Sequence, residues 1–139
     1  MASGRLVWSA LPLVVCLAAP GCGWFDNDST SPSTPTTTET FTGALTRGGS
    51  VVFTFTVIQS GNVAVTLVSL DPSSSITLGL GIGKPSGNSC ALSSSTSSAS
   101  AGATAQITVP QSPGTYCVQV YDLGTLSATT TVTVTVAHS

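Results

Sequence analysis

The chain has 139 residues, room for one domain and a tail, and only 6% of them are charged, for a net charge of −2. Arg5, Arg47 and Lys84 are its only basic residues and stand apart from one another, so the clustered cations that neutralise nucleic-acid phosphates are missing. Low charge does not here mean a disordered body, because 41% of residues are hydrophobic and Val and Thr, both strand formers, are abundant.

Met1 to Arg5 carry one positive charge, and Leu6 to Ala19 then run almost entirely apolar. That run is short of the ~20 residues a spanning helix needs and suits the core of a signal peptide. It ends Ala19-Pro20-Gly21-Cys22, which resembles the lipobox of bacterial lipoproteins. The resemblance implies a signal peptide over 1–21, diacylglycerol on the Cys22 thiol and cleavage just before it. Cys16 is the poorer candidate because Val15 precedes it where a small residue is wanted. Several acyl chains at ~0.8 kcal/mol per buried methylene make such an anchor permanent, whereas one chain is marginal. Trp24 and Phe25 would rest at the lipid headgroups. Gly23 is not the aspartate that resembles an inner-membrane retention signal, which favours outer-membrane or cell-surface display.

Residues 22–40 form the next expected unit, the lipidated cysteine and its tether. "DNDSTSPSTPTTTET" has no apolar periodicity, and Pro32 and Pro35 stiffen a Ser/Thr tract, so it reads as an extended, solvated spacer. Two cysteines remain for the body, Cys90 and Cys117. In an exported chain they are expected to form a disulfide, worth roughly 3 to 4 kcal/mol in the chain-entropy model. The alternative is a pair of free buried thiols. A metal or redox pair lacks both a nearby histidine and CxxC spacing.

From residue 41 to 139 the period is two. "VVFTFTVI" sets Val51, Phe53, Phe55 and Val57 on one face, and "VAVTLVSL" does so with Val63, Val65 and Leu67. "ITLGLGIG" turns Ile76, Leu78, Leu80 and Ile82 inward and leaves Gly79, Gly81 and Gly83 outside. Ile107 and Val109, then Tyr116, Val118 and Val120, then Val132, Val134 and Val136 continue the pattern. Turn signals at Arg47-Gly48-Gly49, Gly61-Asn62, Asp71-Pro72, Pro85 to Asn88 and Pro113-Gly114 separate the runs. With short strands at 41–46 and near 90–95, about eight strands result, each with one apolar face, which requires an all-β antiparallel β-sandwich. Residues 93–104, "SSSTSSASAGAT", read as a low-complexity loop. If Tyr116, Val118 and Val120 face the core, Cys117 points outward. The disulfide should then staple neighbouring strands or a loop on one sheet rather than bridge the sheets.

Taken in order, "FTGALTRGGSVVFTFTV", "GNVAVTLVSLDP", "ITLGLGI", "PSGN" and "SPGTYCVQVYD" resemble the bacterial pre-peptidase C-terminal domain. The similarity implies a jelly-roll-like sandwich of the kind appended to secreted peptidases, with collagen-binding modules among its relatives. No peptidase domain accompanies the module here. Relatives often place acids after "LDP" and some bind calcium, whereas this chain has Ser73, Ser74 and Ser75 there. Calcium wants six to eight oxygens with carboxylate charge, so Asp71 and Asp122 make a poor site and Asp71 reads as a cap of its proline turn. No metal or cofactor is expected.

Catalysis is not expected either, since the serines have no fixed histidine partner and His138 reads as a frayed terminal residue. The leading expectation is a lipid-anchored, noncatalytic envelope module that binds a protein or polysaccharide. Tyr121, on the same outward face as Cys117, is the candidate contact, against the plainer role of covering a neighbouring strand. One alternative is a structural subunit self-associating through exposed edges, with the uncharged Thr/Val strand at 130–137 as the edge. Another is an accessory module for a separately encoded secreted hydrolase.

Overall fold

The computed structural model describes residues 36–139, so the apolar run, Cys22 and nearly all of the tether lie outside the described residues. The body consists of eight strands: β1 (Thr37–Leu45), β2 (Ser50–Val57), β3 (Gly61–Asp71), β4 (Leu78–Ser86), β5 (Ser89–Ala99), β6 (Ile107–Gln111), β7 (Gly114–Tyr121) and β8 (Thr130–His138). Every pairing is antiparallel, in two four-stranded sheets ordered β1-β8-β3-β6 and β2-β7-β4-β5. This is an all-β sandwich with jelly-roll strand order.

The alternation explains the packing. Val63, Val65, Leu67, Val132, Val134 and Val136 line the inner face of the first sheet, and Leu78, Leu80, Ile82, Val118 and Val120 that of the second. Each is fully buried, at about 1.5–3 kcal/mol per large apolar side chain before the entropy of ordering it. The turns obey their local chemistry. Gly48 has φ +70° where Gly49 N–H bonds the Thr46 carbonyl, a conformation that favours glycine. Gly87 has φ +60° at the first central position of the two-residue β4–β5 hairpin closed by Ser86 and Ser89.

Three expectations need correcting. The first strand starts at Thr37 rather than 41, because it pairs with β8 as far as Thr37–His138. The serine-rich segment is a loop only over 100–104: β5 runs through 93–99 to Ala99, which is fully buried and pairs with Leu78. Its hydroxyls lie along a strand at the sheet edge, where Ser93 Oγ–H donates to the Ile82 carbonyl at 3.2 Å. Finally, β8 is not an edge but lies between β1 and β3. A strand with a neighbour on each side needs no blocking charge, so the same uncharged sequence fits the interior.

The glycine stripe of β4 has a specific use. A Cβ on Gly79 would collide with the Tyr121 ring, and one on Gly81 would come within 2.6 Å of the Leu92 side chain. On Gly83 it would run into the Ala91 main-chain carbonyl. Bare backbone therefore lets β5 lean over β4, where the ladder shifts register between Ile82 and Gly83. Cys90 on β5 thereby reaches Cys117 on β7, with Cα atoms 5.8 Å apart, and the two form a disulfide. The bridge stays within one sheet, but it joins the two strands that flank β4, not adjacent strands. Cys117 is fully buried although it alternates with the core-facing Tyr116 and Val118, because β5 covers it.

Candidate functional site

Extending the period-two phase by one step at one end of the sandwich brings polar groups onto the inner faces. Glu39 is in phase with Phe41 and Leu45, His138 with Val132 to Val136, and Lys84 with Leu78 to Ile82. Gln111 is in phase with Ile107 and Val109. Lys84 is exposed and Glu39 and Gln111 are half-buried because the sheets end there, whereas His138 stays buried.

The contacts form a continuous row. His138 Nε2–H donates to Glu39 Oε1 at 2.7 Å. The imidazole lies 5.4 Å from the Phe55 ring, which lies 6.0 Å from Tyr116. The Lys84 ammonium stands 5.8 Å from the Tyr116 ring centroid, within the range of a cation–π contact. The Tyr116 hydroxyl donates to the Ser112 carbonyl at 2.6 Å, which fixes the ring. His138 is thus a buried, partnered side chain, which corrects its reading as a frayed residue.

Beside this row lies a cleft of about 560 Å³ lined by Ser60, Gly61, Lys84, Pro110, Gln111, Ser112 and Tyr116. It is bounded by the ends of β3 and β6 on one sheet and β4 and β7 on the other. Glu39 is bonded to His138, and Lys84 faces the cleft with no carboxylate partner among the described residues. Its lining can offer one cation, neutral hydrogen-bonding groups and part of an aromatic ring.

Tyr121 sits elsewhere. It pairs with Gly79 on the outer face of the second sheet and is half-buried, its ring filling the space above that glycine. Tyr121 therefore covers a neighbouring strand, and the structure brings it into no cluster with the end cleft.

Asp122 serves a structural purpose. Its Oδ2 accepts from Gly48 N–H at 2.7 Å and its Oδ1 from the N–H groups of Gly124, Thr125 and Leu126 at 3.0 to 3.1 Å. These bonds, that to Gly48 foremost, hold its carboxyl below the ordinary aspartate range. The carboxylate ties the β1–β2 turn to the segment after β7. Asp71 precedes Pro72 through a cis peptide bond and does not join it. Among the described residues no three His, Cys, Asp or Glu side chains come together as a metal site.

The sequence reading missed the end row because it weighed His138 by its position and Glu39 as linker. The available signal was phase: both continue an inward alternation already recognised a few residues away.

No family model matches the chain, and no curated protein matches it.

Proposed function

We propose that the chain is a noncatalytic module of the bacterial cell envelope, anchored through lipid on Cys22 and binding a protein or polysaccharide. The observation that carries this reading is the Cys90–Cys117 disulfide, a bond that persists in oxidising compartments. It agrees with the apolar run that ends at Cys22 and with export ahead of folding. The ordered motifs similar to the pre-peptidase C-terminal domain point the same way, since that family occupies secreted proteins. Glu39 and His138 pair with each other, and Asp122 is occupied by backbone N–H groups. Three of the side chains that could run acid–base chemistry therefore already have structural partners, which supports binding over catalysis.

The test is fractionation of cells expressing the full chain and Cys22→Ser. The native chain should partition into detergent with its first residue modified, and the variant should be released or remain unprocessed. Retention of the full chain on envelope or matrix polysaccharide, or on an envelope protein, tests the binding half.

A second reading, self-association, has one observation in its favour. β5 is an edge strand of eleven residues with no charged side chain. Concentration-dependent sedimentation of the detergent-solubilised chain would favour it over a monomeric binding module.

A further inference from the structure

We infer that the end cleft is the ligand site and that its ligand is an acidic polysaccharide, one whose sugar units carry carboxylates. This rests on the binding-module reading and deepens it. Lys84 is the one cation in the cleft, and Arg47, the other cation of the described body, lies in the β1–β2 turn. The remaining lining is neutral: Ser60, Gln111 and Ser112 supply hydroxyl and amide groups, and Gly61 and Pro110 add bare surface. A ligand matched to this lining carries a single negative charge surrounded by hydroxyls. A uronate unit has that pattern, with its carboxylate on the Lys84 ammonium and its hydroxyls on Gln111 and Ser60.

Two features keep the site shaped for this role. The Tyr116 hydroxyl is spent on the Ser112 carbonyl, so the ring stands fixed beneath Lys84. Gly61 pairs with Gln111 at the start of β3, and a side chain there would press on Ser139 Oγ at 2.9 Å. An acidic peptide is the poorer match, because it brings a carboxylate to Lys84 without the ring hydroxyls that Ser60, Gln111 and Ser112 are placed to bond.

The experiment measures binding of a galacturonate pentamer, a neutral galactose pentamer and poly-glutamate to the full chain in detergent micelles. Calorimetry gives affinity and backbone amide shifts give location. The uronate should bind more tightly than the neutral sugar, with shifts at Ser60, Lys84, Gln111 and Tyr116, and added salt should weaken it. Lys84→Gln, an exposed substitution, should lower uronate affinity by about tenfold while leaving the neutral sugar unchanged. Gln111→Glu, with the wild-type melting temperature, should lower it as well. Equal affinity for both sugars, unchanged uronate binding by Lys84→Gln, or a preference for poly-glutamate would each overturn the proposal. Envelope polysaccharide held at another face would remove the cleft as the site and leave the binding-module reading standing. Loss of all polysaccharide and protein retention would overturn both.

Discussion

Glu39 and His138 lie 99 residues apart in the chain, yet a 2.7 Å hydrogen bond joins them at the end of two neighbouring strands. His138 is almost fully buried against Phe55, whereas the Glu39 side chain is 37% exposed. The imidazole is therefore the costlier half to remove. His138→Ala should lower stability by about 2 kcal/mol, through the void beside Phe55 and the orphaned carboxylate. Glu39→Ala should cost roughly half that, with about 1 kcal/mol of coupling in the double variant. Urea midpoints at unchanged slope measure all three, and strictly additive losses would show that the pair contributes nothing as a pair.

Removing the disulfide by Cys90→Ala with Cys117→Ala should destabilise the sandwich by roughly 3 to 4 kcal/mol in the chain-entropy model. The residues close a loop with a sequence separation of 27. Urea unfolding of the double variant against the oxidised parent checks the magnitude, and equal midpoints would refute it.

Gly79 and Gly83 of β4 should respond differently to alanine. At Gly79 the obstructing atoms belong to the Tyr121 ring, which can swing away into solvent. At Gly83 the obstruction is main chain at Ala91, which cannot move without shifting β5. Overpacking costs about 1 to 3 kcal/mol, with Gly83→Ala at the upper end and Gly79→Ala at the lower. Gly83→Ala should also slow oxidation of Cys90 and Cys117, read by thiol labelling during refolding. Gly79→Ala should instead change the tyrosine near-ultraviolet signal.

Asp122 sets the acid limit of one part of the fold. Its folded pKa is lowered from the ordinary value of 3.8, chiefly by the Gly48 N–H. The carboxylate's stabilising contribution is therefore complete above that ordinary value and is lost as pH falls through the lower folded one. Asp122→Asn should be less stable than the parent at neutral pH, with the difference shrinking below about pH 4. Melting temperatures from pH 7 down to pH 2 measure this, and a constant difference would show that the charge is not responsible.

Much of the sandwich was legible where strands alternate cleanly, as β8 and the first part of β3 do. Val132, Val134 and Val136 each face the core, and no competing helical period exists in that run. Gly79, Gly81 and Gly83 were equally legible as an outer face. What covers them was not, because Leu92 and Ala91 approach through a register shift that no local pattern encodes. The second half of β5 reads as a loop because serine-rich composition outweighs a weak alternation that ends in buried Ala99. The end row was missed for a different reason. Phase assigns Glu39 and His138 inward, but only the sheet order makes their strands neighbours.

The interior place of β8 also governs when the molecule can fold. β1 has that strand as its sole partner and β3 pairs with it along most of its length, so β1 gains no ladder and β3 only its short pairing with β6 until Thr130–His138 have been synthesised. Such distant pairing belongs to the slow end of folding rates. The first sheet can therefore close only when its C-terminal strand arrives to seat itself between β1 and β3.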